Sequence, residues 1–214
     1  MKINHRKTKI ITFNPCRNVD FTPEIKLGNT EIEVVEEIKL LGLTIRSDLK
    51  WTTNTQNMIL KANKRLWMLR RLKNLGAKEE DLLEVYVKQI RCLLELAVPA
   101  WQSGLTLAEK SDIERVQKTA CHIILGDMYC SYNNALEVLN LETLESRRNK
   151  LCLKFALKSE KHEKFQSWFK KNTKNVNTRH PAMKYCNVKA NHARFEKSPI
   201  SYLTNLLNTH YQMK

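Results

Sequence analysis

Residues 55–75 read TQNMILKANKRLWMLRRLKNL, and their apolar members recur every three to four positions. This period predicts a helix with one packing face. The residues on that face are Met58, Ile59, Ala62, Leu66 and Leu69. Gly76 can end the helix, because glycine accepts the left-handed backbone conformation that follows many helices.

Helical patterns continue through most of the chain. Residues 78–98 begin with three acids, which suit a helix N-terminus, and stop before Pro99. Apolar residues cover most of this helix, so we expect it to be the central buried one. Its polar stripe contains Glu84, Lys88, Arg91 and Glu95.

Four more helices are predicted, three of them from signals at their starts. Thr106 and Glu109 have capping-box spacing and precede a helix that ends at Gly126. Its predicted buried face contains Ile113, Val116, Ala120, Ile123 and Ile124. Ser131 begins a short helix to Leu139, a long helix covers residues 143–162, and Ser198 begins the last helix. Between the last two, residues 172–197 are polar and basic and predict an extended connector.

The first fifty residues favour β-structure. Residues 7–13 form a β-branched run, and residues 24–27 and 31–35 flank a two-residue turn at Gly28 and Asn29. Residues 38–45 predict a further strand with Gly42 in its middle, where the missing side chain permits a bulge or the close approach of another backbone. With five glycines and five prolines in 214 residues, the chain has too few turn residues for an all-β sandwich. The predicted fold class is α+β, mainly α with a small N-terminal antiparallel β-hairpin or sheet.

The chain is strongly basic, with a formal charge of +15. Residues 147–214 hold 16 Lys and Arg against three Glu, a net of +13, so the preceding residues contribute only +2. This excess indicates nucleic acid or another polyanion as the partner. Neither a secretory signal nor a membrane span is evident, and we expect an intracellular protein of the nucleus or cytoplasm.

Catalytic and metal-binding patterns are missing from the sequence. The acids of the strand region form no tight pair in a turn, as a two-metal site would need. There is no glycine-rich phosphate loop and no nucleophile elbow. The six cysteines include no Cys-x-x-Cys pair, which favours free thiols in a reducing compartment over zinc. We therefore predict a binding protein with no catalytic residue, metal or cofactor.

Three helices combine a packing face with a basic face, as backbone contact with nucleic acid requires. In the first helix, Lys64 and Arg71 flank Trp67, whose indole could stack on a base; alternatively, Trp67 and Leu60 form a second packing face. The third helix presents Arg115 and Lys118 opposite its buried face.

The long helix has a basic stripe spanning about a quarter of its circumference, with Glu160 as its one nearby acid. This stripe consists of Arg147, Lys150, Lys154, Lys158 and Lys161. The alternative for each basic face is a solvated surface without a ligand.

Five segments resemble, in the same order, the C-terminal part of reverse transcriptases from jockey-like retrotransposons without long terminal repeats. MKINHRKTKIITFN resembles the segment after the polymerase active site, and IKLLGLTIRSDLKW the primer-grip hairpin, with Leu41 and Gly42 matching its Leu-Gly pair. LKANKRLWMLRRLKNLG is similar to the first thumb helix. DIERVQKTACHIILG and LNLETLESRRNKLCLKFALK resemble later helices of that region.

The resemblance implies a palm remnant with the primer-grip hairpin over residues 1–50 and a thumb-like helical bundle over 51–140. A long basic helix and a short helix would follow over 141–171, and a basic connector with a terminal helix over 172–214. The family's catalytic carboxylates precede the matched region and are absent, so the chain is expected to be a truncated, decayed or internally initiated product. It would retain binding to RNA or an RNA–DNA duplex. The alternative is a helical protein-interaction scaffold, or a product without selected activity, that self-associates through its exposed palm-facing surface.

Overall fold

The computed structural model describes residues 4, 7–13, 24–172, 183–186 and 193–213. They form a mainly helical chain with small antiparallel hairpins near the N-terminus, which confirms the predicted fold class. The chain divides into two compact units, Met1–Asn57 and Met58–Lys214. Among the described helices, none has the length and apolar character needed to cross a membrane.

The first unit contains the predicted hairpin. Strands β1 (Lys26–Leu27) and β2 (Thr30–Glu31) are antiparallel, and Lys26 faces Glu31 across the register. Gly28 has a φ of +63°, so the turn uses the conformational freedom for which glycine was expected there. The predicted strand over residues 7–13 is wrong in its extent: within the described residues of that run, only Ile10 makes a bridge, to Val34.

The predicted strand over residues 38–45 is instead a second hairpin. Strand β3 (Glu37–Leu40) pairs with β4 (Leu43–Arg46) around a turn at Leu41 and Gly42. Both turn residues have positive φ, 47° and 92°, as a tight hairpin turn requires. Gly42 therefore reverses the chain and does not form a bulge within one strand.

Helix α1 covers Thr52–Asn74, close to the predicted range. Gly76 follows it at φ +84°, and its amide donates to the carbonyl of Lys73, which confirms the predicted glycine end. Within the first unit, Asn54 of this helix accepts a hydrogen bond from the Thr44 amide of β4 at 3.0 Å. The side chain of a buried helical residue thus binds the second hairpin.

The predicted helix over residues 78–98 has a more complex form. Helix α2 (Glu79–Val85) continues through a π-helical segment, Tyr86–Arg91, into the short α3 (Cys92–Leu94). Pro99 does not stop this helix; it lies in the first turn of α4 (Val98–Trp101), where a missing amide costs nothing. The break comes earlier, at Ala97, whose φ is +48°.

Burial along this stretch is one-sided. The fully buried residues are Leu82, Tyr86, Ile90 and Leu94, spaced four apart as the wider π-turn allows. Gln89 and Cys92 are exposed, so the expected burial around most of the helix is wrong. The helix contributes one face to the core of the second unit.

Of the next three helices, the first two begin at their predicted caps, and the third begins at a cap that was not predicted. A short 3₁₀ turn, Gln102–Gly104, leads to α5 (Leu107–Leu125), where Thr106 and Glu109 form the full capping box. After a 3₁₀ turn at Gly126–Met128, α6 (Tyr132–Val138) is capped by the Ser131 side chain. Helix α7 (Leu144–Lys161) is capped by Thr143 and followed by a 3₁₀ segment, Glu163–Trp168.

The C-terminal region adds α8 (Ala193–Glu196) and α9 (Pro199–Gln212), the latter capped by Ser198. Helix α7 packs against α4, α5 and α9. Of the predicted connector, residues 173–182 and 187–192 lie outside the described residues. Its described part pairs Lys171 with Tyr185 in an isolated antiparallel bridge, and Asn208 of α9 bonds both the amide and the carbonyl of Tyr185.

A buried hydrogen-bond network joins the helices of the second unit. Gln117 of α5 is fully buried and accepts from the Tyr86 hydroxyl at 2.5 Å. Its amide nitrogen donates to the Tyr132 hydroxyl and to the Glu142 carbonyl, both at 2.8 Å. These bonds fix the start of α7, whose outer face carries half of the predicted nucleic-acid-binding residues.

Candidate nucleic-acid interface

Helix α1 is strongly basic from Lys61 to Lys73. It contains six Lys and Arg residues and no acid. The exposed cations are Lys61, Lys64, Arg70 and Arg71. The other two are bound to backbone carbonyls of the second unit: Arg65 donates to Gln89, and Lys73 donates to Ile124 at 2.8 Å.

None of these six cations forms an ion pair with a described residue. A solvated helix face normally carries both signs of charge. We define the α1 surface as the four exposed cations together with Trp67. This surface is a region of single-sign charge that a polyanion can neutralise.

Trp67 lies in solvent between these cations. Its side chain is 62% exposed, and the guanidinium carbon of Arg71 is 5.7 Å from the centroid of its ring. Leu60, on the same face, is 59% exposed. Within the described residues neither Leu60 nor Trp67 is covered by a second packing contact, and Lys64, Trp67 and Arg71 lie together on α1.

The basic face of α5 is more engaged with its own chain. Arg115 forms an ion pair with Asp112 at 3.1 Å. Lys118 lies over the Tyr132 ring, with its ammonium nitrogen 5.1 Å from the centroid. Both side chains remain exposed, but each already has a partner, so this face is the weakest of the three predicted ones.

The stripe on α7 is divided into two halves with different surroundings. Arg147 donates to both carboxylate oxygens of Glu95, at 2.5 and 3.2 Å, and this bonding raises the pKa of Arg147. Lys150 forms an ion pair with Glu142 at 2.5 Å. The prediction that Glu160 is the one acid near the stripe is wrong, because Glu95 and Glu142 reach it from outside the helix.

Glu160 itself is directed away from the lysines of α7. It accepts hydrogen bonds from Lys184 at 2.6 Å, from Tyr211 at 2.8 Å and from Tyr185. Although partial burial opposes ionisation, these bonds lower the pKa of Glu160. Its charge is thus used to hold the segment around Tyr185.

Lys154, Lys158 and Lys161 form the free half of the stripe. None of them has an ion-pair partner in the part of the chain that the structure describes. With Lys150, Leu153 and Leu157 they line a shallow groove of about 340 Å³. The buried side of the helix contains Leu144, Arg148, Cys152, Ala156 and Ser159. The lysines are therefore on the solvent side, as predicted, and we call Lys154, Lys158 and Lys161 the α7 lysine group.

Arg148 was not predicted to be internal, yet it is fully buried. Its Nε donates to Gln102 at 2.9 Å, while its two terminal nitrogens have no partner among the described residues. Burial lowers the pKa of Arg148. A sequence signal existed, because Arg148 lies four residues from both Leu144 and Cys152 on the packing face.

The second hairpin, formed by β3 and β4, presents apolar side chains to solvent. Leu41 is 92% exposed at the turn, next to Gly42, and Leu40 and Leu49 are 54% and 45% exposed. The apolar tip, defined as Leu40 and Leu41 beside the turn, carries no charge with which to bind phosphate. Its surface can bury apolar area against a protein.

The described residues contain no group of three His, Cys, Asp or Glu side chains that could hold a metal ion. The five described cysteines are free thiols. The α1 surface and the α7 lysine group can therefore neutralise phosphate charge, and α1 adds one exposed indole.

No protein-family model, curated protein or solved structure matches the chain.

Proposed function

We propose that the chain is a non-catalytic nucleic-acid-binding product derived from the thumb and connector region of a retrotransposon reverse transcriptase without long terminal repeats. It binds the phosphate backbone of RNA or of an RNA–DNA duplex. One observation carries the proposal: the cations of the α1 surface and of the α7 lysine group reach solvent without acidic partners. The family origin is supported by the order of the five matching segments.

The mechanism of binding is counterion release. Each phosphate that a lysine or arginine neutralises frees condensed cations, and the entropy of their release favours the complex. Lysines on a helix face contact phosphates without reading base edges, so little sequence preference is expected. Cations already held by Glu95 or Glu142 contribute less, because binding phosphate would require them to leave a carboxylate.

Salt dependence tests the proposal. We expect the chain to retain single-stranded RNA, duplex RNA and an RNA–DNA hybrid on filters. If about five phosphates are neutralised, log K should fall with log salt with a slope of about −3.5 to −4.5. The affinity should then drop about a hundredfold to five-hundredfold between 50 and 200 mM salt. A Kd weaker than about 10⁻⁴ M at low salt, or a flat salt profile, would refute the function.

The proposal also predicts that the chain does not polymerise. A primed RNA template with deoxynucleotides and magnesium should show no extension by the purified chain. Extension that a metal chelator abolishes would contradict the non-catalytic assignment without affecting the binding data.

The apolar tip favours a second candidate function, a scaffold that associates with protein or with itself. Leu40 and Leu41 expose apolar surface at the turn, of the kind that marks interaction sites. Sedimentation velocity over a concentration series should detect self-association of the wild type, and Leu41→Ser should weaken it. A wild-type chain that stays monomeric throughout the series would exclude self-association.

A further inference from the structure

We propose that Trp67 is a stacking platform for an unpaired base, so that the α1 surface prefers single-stranded nucleic acid to duplex. This inference rests on the proposed nucleic-acid function and specifies the strand type that one of its surfaces binds. It concerns α1 alone and leaves the duplex contacts of the α7 lysine group in place.

The indole has both the exposure and the charged neighbours that such a platform needs. It is 62% exposed, with Lys64 about one turn before it and Arg71 about one turn after it. Arg71 lies over the ring at 5.7 Å, and an indole this exposed retains aromatic surface for a second partner. Proteins that bind single strands combine a positive track for the backbone with aromatic rings for the bases.

The strand preference follows from where a base shows its faces. In a duplex both faces of each base are stacked inside the helix and are closed to a side chain on the outside. An unpaired base can rotate outward and lay one face on an aromatic ring. A duplex can therefore use the cations of the α1 surface but not Trp67, whereas a single strand can use both.

The charge of α1 argues against a second copy of this chain as the partner that covers Trp67. Exposed apolar neighbours, Leu60 and Leu75, could pack on another helix. However, α1 carries six cations and no acid, so pairing two α1 helices would bring like charges together. A polyanion with unpaired bases can place its phosphates against the cations and stack a base on the Trp67 ring.

The test compares Trp67→Ala with Leu60→Ala, a matched control on the same face with a side chain of similar exposure, 59% against 62%. Each variant is titrated with oligothymidylate, which has no secondary structure, and with a duplex, at one fixed salt concentration. Trp67→Ala should weaken oligothymidylate binding about fivefold to a hundredfold, because it removes one stacked base. Duplex binding should be unchanged, and Leu60→Ala should change neither affinity. Trp67→Phe, which keeps a ring, should retain most of the single-strand affinity.

Indole fluorescence gives an independent measurement on the same samples. Oligothymidylate should quench part of the wild-type emission, and Trp67→Phe should remove that part of the quenching. The duplex should cause little quenching of the indole emission in either protein. Equal thermal unfolding midpoints would show that the variants remain folded, as expected for an exposed position.

The outcomes separate this inference from the proposed function. If Trp67→Ala binds both ligands like the wild type, or loses affinity for both equally, the stacking role is wrong while salt-dependent binding stands. If Trp67→Ala changes only the oligomeric state, the face serves protein association and the inference is refuted. If the wild type binds neither ligand at low salt, the proposed function fails and the inference fails with it.

Discussion

Neutralising the α7 lysine group should remove a measurable share of the salt-dependent affinity. We consider Lys154→Gln, Lys158→Gln and Lys161→Gln in one chain. All three side chains are without acidic partners in the described structure, so each is free to neutralise one phosphate. Glutamine keeps the length of the apolar stem and suits a helix, so the fold should be unaffected.

The size of the effect follows from counting phosphates. Each phosphate contact contributes about 0.7 to 0.9 to the slope of log K against log salt. Losing three contacts should therefore reduce that slope by about 2 to 2.7. Since 50 and 200 mM differ fourfold, the salt-induced loss of affinity over that range should shrink about twentyfold to fortyfold. At 0.1 M salt the triple variant should bind about a hundredfold or more weakly than the wild type.

A control with the same change in net charge separates local contact from overall attraction. Lys9, Lys88 and Lys110 are each paired with a glutamate, so replacing all three by glutamine also removes three cations. This control should change the slope by less than about one, since paired lysines contribute little to phosphate binding. Filter binding of a duplex RNA to the three proteins measures all three slopes. Equal slope changes in the two variants would show that only net charge matters and would refute a specific role for α7.

Two further predictions concern the scaffold behind these surfaces. Gln117→Leu should leave the buried Tyr86 hydroxyl and the partly buried Glu142 carbonyl unpaired and destabilise the chain by about 1 to 4 kcal/mol in urea unfolding. Adding Tyr86→Phe should then restore about 1 to 3 kcal/mol, and a strictly additive double mutant would contradict this coupling. Burial raises the pKa of Cys121 to about 11, so at pH 8 its thiol stays protonated. Iodoacetamide should therefore modify the exposed Cys92 but not Cys121, as peptide mass spectrometry of the native protein can show; equal labelling would contradict the burial of Cys121.

Local signals were sufficient to predict most helix and turn boundaries. Thr106 and Glu109 lie three residues apart, and their reciprocal hydrogen bonds depend on nothing beyond one helical turn. Gly28 and Gly76 likewise act through their own backbone conformation. Each of these predictions needed only residues that are neighbours in the sequence.

The errors arose where distant contacts or an unusual backbone decide the structure. The π-helical segment Tyr86–Arg91 has a wider turn than the 3.6-residue period assumes. For the second hairpin, the residue pattern predicted one strand where the family resemblance implied a hairpin. The pattern missed the chain reversal because Leu41 adopts a positive φ that leucine rarely takes.

Helical periodicity predicted which side of α7 carries the basic stripe, but not which acids from other parts of the chain pair with it. The free half of the α7 stripe could be found from helical periodicity alone. The pairing of Arg147 with Glu95 could not, since 52 residues separate them. The positive charge of the α1 surface was also underestimated. The net charge of residues 1–146 is only +2, but this sum includes a helix with six cations and no acid.

Lysine footprinting tests the central claim most directly, because it shows which cations the nucleic acid covers. The wild-type chain is acetylated briefly with and without a saturating duplex RNA, and the modified peptides are quantified by mass spectrometry. We predict strong protection at Lys154, Lys158 and Lys161, and none at Lys88 and Lys110, whose glutamate partners already hold them. Uniform protection of all lysines, or protection restricted to the glutamate-paired ones, would contradict binding through these basic faces.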